Sequence, residues 1–114
     1  MISLKKNTDF KRVYESGSSR GSKAVVVYAA RNELPASRLG ISVSKRVGNS
    51  VVRHRIKRLV REYFRLHEEE IARGYDFVAV GRPAAKGMDF REVSASCEKC
   101  LKAYDVLSGG TKTE

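Results

Sequence analysis

Residues 49 to 65, NSVVRHRIKRLVREYFR, constrain the fold more than any other stretch. Laid on a helix at about 100° per residue, Val52, Ile56, Leu59, Val60 and Tyr63 gather in one apolar stripe. His54, Lys57, Arg58, Arg61 and Arg65 gather on the opposite side, with Arg53 and Arg55 at the two edges. From Arg53 to Arg65 there are six Arg or Lys residues and a single acid, Glu62. Such a helix can bury one face only. Its apolar stripe requires a core built by other elements, and its basic side has to stay outside. A solvated surface helix usually alternates basic residues with Glu as i,i+4 pairs. Here the acids for that are missing. Arg also outnumbers Lys, and its planar fork matches phosphate oxygens better than a point charge does.

The rest of the chain sharpens the contrast. With 114 residues it has the length of one domain with a modest core, and its formal charge is +10. Residues 1 to 44 carry eight basic and three acidic side chains, and residues 45 to 65 carry eight and one. Residues 66 to 114 carry seven basic and nine acidic side chains. A charge kept for solubility would not be concentrated this way. The excess points to nucleic acid, with an anionic membrane surface as the competitor. The longest uninterrupted apolar run, Ala24 to Ala30, has seven residues, against the roughly 20 that span a bilayer. The N-terminal stretch has no apolar signal segment and contains Asp9 and Glu15. No export is expected, and the two cysteines are expected in a reducing cytoplasm.

The spacing predicts the order α-β-β-α-β-α. NTDFKRVYESG reads as a short helix capped by Asn7 or Thr8, with Asp9 in its first turn and Ser16-Gly17 at its end. Lys23–Ala30 and Leu39–Ser44 read as strands. In the second, Leu39, Ile41 and Val43 face one way, and Gly40, Ser42 and Ser44 the other. Asn49 is placed to cap the basic helix, which Glu68 to Glu70 close. Tyr75–Arg82 reads as a buried strand stopped by Pro83. Residues 88 to 107 read as a last helix with an Asp89/Glu92 capping box. The expected fold class is α+β, helices packed on a sheet of three or four strands. Residues 1 to 107 form the single expected domain, and 108 to 114 an expected disordered tail.

Phe10 and Tyr14 share a helix face, Tyr28 lies on the first strand, and Lys11 and Arg12 stand beside them. Aromatics next to cations can stack single-stranded bases and hold their phosphates. Periodicity alone favours the plainer reading, in which Phe10 and Tyr14 dock the helix on the sheet. Cys97 and Cys100 lie three apart on the apolar side of the last helix and read as core, since a structural zinc needs four ligands. Glu68, Glu69 and Glu70 are consecutive and fan around a helix, so they do not form a converging carboxylate site. The sequence contains no phosphate-binding loop and no dinucleotide fingerprint. A reaction involving this chain would draw its chemistry from elsewhere.

Ser42 to Glu62, SVSKRVGNSVVRHRIKRLVRE, resembles the protein subunit of bacterial ribonuclease P. Lys45, Gly48 and Asn49 match that family's K-x-x-G-N turn. Arg53 and Arg55 match its Arg-Asn-Arg helix, and Ile56, Lys57, Arg58, Leu59 and Arg61 its I-K-R-L-x-R continuation. LKKNTDFKRVYESG and YDFVAVGRPAA match its opening helix and third strand, so the resemblance runs from about residue 4 to residue 106. One position departs from it: His54 stands where the family has Asn. The resemblance implies a small two-layer α/β sandwich, a ribosomal-protein-like domain, with a left-handed β-α-β crossover through the basic helix. It implies a partner of the catalytic ribonuclease P RNA that assists removal of the 5′ leader from precursor tRNA, leaving a 5′-phosphate. The RNA and its Mg²⁺ ions would perform the hydrolysis, with no catalytic residue, metal site or organic cofactor in the protein. Lys45, Arg46, Asn49, Arg53, His54, Arg55, Lys57, Arg58, Arg61 and Arg65 would hold RNA. Phe10, Arg12, Tyr14, Tyr28, Ser42 and Ser44 would line a cleft for the single-stranded leader, which moves the two helix aromatics from core toward leader contact. The protein alone is expected to be monomeric. The competing functions are a ribosomal or RNA-chaperone protein, which needs no leader cleft, and a helix-turn-helix DNA regulator. For the latter the strand LGISVS stands where a helix is required.

Overall fold

A computed structural model describes residues 1–16 and 18–108. Gly17 and the tail beyond Ser108 lie outside the described residues. The elements are β1 (Ile2–Ser3), α1 (Asn7–Glu15), β2 (Ser19–Gly21), β3 (Val25–Arg31) and β4 (Arg38–Ser42), followed by α2 (Ser50–Leu66), β5 (Tyr75–Gly81) and α3 (Phe90–Ala103). Short 3₁₀ turns follow α2 at Glu68–Glu70 and β5 at Pro83–Ala85. The fold is α+β, and its sheet has five strands in the order β1-β4-β5-β3-β2. The two strands not foreseen, β1 and β2, have two and three residues and are too short to show an alternation.

The sheet separates two apolar clusters. Val25, Val27, Ala29, Leu39, Phe77 and Ala79 point toward α2 and α3, where Ile56, Val60, Phe64, Val93, Cys97 and Leu101 meet them. Cys97 and Cys100 are both buried there. On the other face α1 seals a smaller cluster of Leu4, Val13 and Val78, with Phe10, Tyr28, Ala30 and Val80 at its margin. Strand alternation divides each strand between the two clusters.

The helix ends follow local chemistry. Asn49 Oδ1 accepts from the Val52 amide at 3.0 Å and starts α2. Asp89 and Glu92 form the foreseen capping box on α3. Asp105, with φ of 60°, turns the chain out of that helix, so α3 is shorter than the alternation of its apolar residues suggested. Capping of α1 differs from expectation. Lys6, not Asn7 or Thr8, occupies the cap and makes no side-chain cap bond. Its carbonyl takes the amides of Asp9 and Phe10 at 3.0 and 3.1 Å, which starts the helix one residue early.

β4 and β5 are parallel neighbours joined through α2. The hand of this crossover follows from Leu39. Its carbonyl accepts from the Leu4 amide at 2.9 Å and therefore faces β1. Its side chain points to the α2 side. For an L-residue viewed from its side-chain side on an upward strand, the carbonyl points right. β1 is then to the right of β4 and β5 to the left, so the crossover is left-handed, against the usual preference.

α1 is fixed to the sheet by two contacts. A Cβ added at Gly40 would lie 2.5 Å from Phe10 Cζ, so the ring occupies the space over that glycine. Asp76 on β5 is fully buried. Arg38 donates to it twice, from Nε at 2.8 Å and from a terminal nitrogen at 2.7 Å. Asn32 Nδ2 donates at 2.8 Å, and the Arg12 guanidinium of α1 completes the set. Burial pushes the Asp76 carboxyl up, but the bonds from Arg38 and Asn32 and the charges of Arg38 and Arg12 outweigh it, and the net shift is downward.

Asp76→Ala should lower unfolding stability by about 3 kcal/mol in urea at pH 7, the low end for a broken buried pair because both arginines can rehydrate. A group with a depressed pKa stabilises above its ordinary value, 3.8 here, and that contribution disappears as pH falls through the folded-state pKa. Below that range, wild type and variant should converge. Gly40→Ala should force Phe10 off the sheet and cost about 1–3 kcal/mol; an unchanged urea midpoint would show that α1 docks without this contact.

Candidate RNA interface

α2 presents the basic face as its periodicity requires. Ile56, Val60, Tyr63 and Phe64 are buried beneath it. His54, Arg58, Arg61 and Arg65 are exposed, and Arg55, Lys57 and Arg53 are half-exposed on its sides. Arg53 Nε donates to the Gly48 carbonyl at 3.1 Å and buttresses the turn before the helix. Arg65 Nε pairs with Glu62 at 3.0 Å. Among the described residues, Arg55, Lys57, Arg58 and Arg61 have no ion-pair partner. Lys45 and Arg46 are exposed in the turn that leads into Asn49. The first turn of α2 contains no acid, so the positive end of the helix dipole is left facing solvent beside these cations.

Of the residues expected in a leader cleft, Phe10, Tyr14, Tyr28 and Ser42 fall on the α1 side of the sheet. Tyr28 pairs with Val78, and Val78 with Gly40, so these three form one row across the face. Ser42 is one row further on, opposite Val80. Tyr14 is 37% exposed, and its ring meets that of Tyr28 edge-on at 4.9 Å. Phe10 is half-buried over Gly40. Ser44 lies two residues past the end of β4 and is exposed. Arg12, foreseen as a cleft residue, directs its guanidinium to Asp76 while its side chain stays 41% exposed.

A groove of about 430 Å³ joins the two regions around the β1 edge of the sheet. Phe10, Gly40 and Lys5 line it together with Lys57, Arg61 and Arg65. Sequence reasoning missed Lys5 and the join itself, because β1 has no pattern of its own. A larger groove, about 690 Å³, lies at the far end of α2, but there Glu68, Glu69 and Glu70 offset the charges of Arg65 and Arg73. Burial pushes the thiols of Cys97 and Cys100 up, away from nucleophilic thiolate. No group of three or more His, Cys, Asp or Glu side chains able to hold a metal occurs among the described residues. No helix among them is long and apolar enough to cross a membrane. The arrangement can bind a polyanion along α2 and a short single strand beside α1.

Known proteins share this fold. The Ribonuclease P family profile matches residues 2–105. The ribonuclease P protein component of Lachnoclostridium phytofermentans is 46% identical over 106 residues, covering 93% of this chain and 91% of that protein. The solved ribonuclease P protein of Staphylococcus aureus superposes with a TM-score of 0.86 at 41% identity, over 94% of this chain and 98% of that one. The protein from Thermotoga maritima does so with a TM-score of 0.82 at 31% identity, over 90% and 97%. The chain belongs to the family of ribonuclease P protein components.

Proposed function

We propose that this protein binds a catalytic ribonuclease P RNA through α2 and the 5′ leader of precursor tRNA through the cleft beside α1. The observation that carries the reading is the unpaired cation array of α2, joined by the β1-edge groove to a face bearing Phe10, Tyr14 and Tyr28. Lys45, Arg46, Asn49, Arg53, His54, Arg55, Lys57, Arg58, Arg61 and Arg65 hold the RNA and offset repulsion where its strands crowd. Phe10, Tyr14 and Tyr28 offer faces and edges to leader bases, and Ser42 and Ser44 offer hydroxyls. Arg12 serves the cleft indirectly, by anchoring α1 to Asp76. Binding energy in the cleft is remote from the scissile bond, so it distinguishes precursor from product without supplying a nucleophile or base. The RNA carries the hydrolysis and holds the Mg²⁺. The free protein is a monomer and works in the cytoplasm.

Reconstitution tests this. Protein, a bacterial ribonuclease P RNA and a precursor tRNA are mixed at low Mg²⁺, with protein alone and RNA alone as controls. Leader cleavage that requires both components is expected. RNA binding with no rescue of cleavage would move the ribosomal or chaperone reading ahead.

Arg55→Ala with Arg58→Ala should weaken RNA-subunit binding about tenfold or more and reduce the slope of log Kd against log salt by about 1 for each side chain. Filter binding across a salt series reads both. Tyr14→Ala should leave that affinity intact and weaken precursor tRNA binding to the holoenzyme by roughly tenfold, as loss of one base–aromatic contact would. Equal binding of precursor by wild type and Tyr14→Ala would remove Tyr14 from the cleft.

A further inference from the structure

We infer that His54 is a proton-linked phosphate ligand, so that docking of this protein on RNA takes up a proton and tightens as pH falls. The inference rests on the reading of α2 as the RNA-binding element.

His54 stands in the centre of the outer face of α2, almost opposite the buried Ile56, and is exposed. Among the described residues its ring has no hydrogen bond or aromatic contact. The other histidine, His67, is engaged: its ring stacks on Tyr63 at 4.3 Å, and Nδ1 lies 2.9 Å from the Tyr63 carbonyl. His54 is thus the one imidazole on the basic face of α2, the side-chain type that can take up a proton there.

The charges around it are cationic. Arg53 and Arg55 flank it in sequence, Lys57 and Arg58 lie one turn on, and Lys45 and Arg46 occupy the turn before the helix. The acids of the neighbouring elements are committed elsewhere. Asp9 and Asp76 serve Arg12 and Arg38, and Glu62 serves Arg65. Asp89 and Glu92 cap α3, while Glu98 pairs with Lys102. Among the described residues no acid pairs with the His54 ring, whereas a phosphate on this face would. An imidazolium has two N–H donors and a charge, and a neutral ring has one donor and none. The phosphate therefore binds the protonated form more tightly, and by linkage binding raises proton occupancy.

The test uses the full chain, a bacterial ribonuclease P RNA and Kd measured from pH 8 to pH 6 at fixed salt and Mg²⁺. Wild type should bind about fivefold tighter at pH 6 than at pH 8, the scale of one charge-assisted contact. Its salt slope should steepen by about 0.7–0.9 over the same range, one further counterion released. His54→Asn should lose both changes and keep only the pH response of the RNA itself. His54→Lys should be as tight at pH 8 as wild type at pH 6, and as flat as His54→Asn. Parallel pH profiles for wild type and His54→Asn would overturn the proton linkage while leaving the RNA interface standing. Failure of wild type to bind at either pH would overturn both.

Discussion

Asp76 is the one ionisable carboxylate that the fold removes fully from water among the described residues. A buried charge is tolerable only with partners, and its three, which donate four hydrogen bonds, come from separated parts of the chain. Arg38 belongs to β4, Asn32 to the loop after β3, and Arg12 to α1. Net stabilisation by such a cluster is modest, because desolvation consumes most of the attraction. Its larger effect is geometric. A planar guanidinium aimed at a fixed carboxylate sets the angle at which α1 crosses the sheet. That angle brings Phe10 over Gly40 and leaves Tyr14 beside Tyr28. The cleft therefore depends on a charge that lies outside it.

The two faces of the sheet are unequal for the same reason. α2 and α3 cover one face with a continuous apolar core. The other face has a single short helix, and only Val13 of α1 is fully buried. A helix held by so little apolar area would drift without the Arg12–Asp76 tether. The thinness of this layer is also what leaves aromatic surface accessible. At the sheet margin β1 pairs over two residues only, and the chain then climbs into α1. A longer edge strand would wall off Phe10 from Lys57 and Arg61. The short one leaves the groove open between them.

How much of this was legible depended on the range of the interactions. α2, its Asn49 cap and the α3 capping box are local, within four residues, and were readable from spacing. The strands β3, β4 and β5 were readable from β-branched runs and alternation. The Asp76 cluster was not, since its arginine partners are 64 and 38 residues away and nothing near Asp76 marks it. The same holds for Gly40, which looked like part of a small polar face and proved to be the seat of an aromatic ring. The shared face of Tyr28 and Ser42 needed the register of β3, β5 and β4, which no single strand encodes. The unusual hand of the crossover came only from resemblance, because propensity and periodicity are silent on handedness.

α2 arranges its charge against its own dipole. No acid occupies its first turn, and Arg53 and Arg55 follow immediately. Each cation near a helix N-terminus is unfavourable by roughly 0.3–1 kcal/mol, and the cations also repel one another. The helix stands because Ile56, Val60, Tyr63 and Phe64 are buried on its other side, with Ile56, Val60 and Phe64 each worth about 1.5–3 kcal/mol. The apolar face thus supplies the surplus that lets most of the basic face remain unpaired. A phosphate chain arriving at this end relieves the dipole and the repulsion together, so what destabilises the free helix becomes affinity in the complex. Pairing those cations with glutamates would stabilise the free protein and remove its reason to bind. The depth of the core and the density of charge are therefore two parts of one design, joined in a single helix.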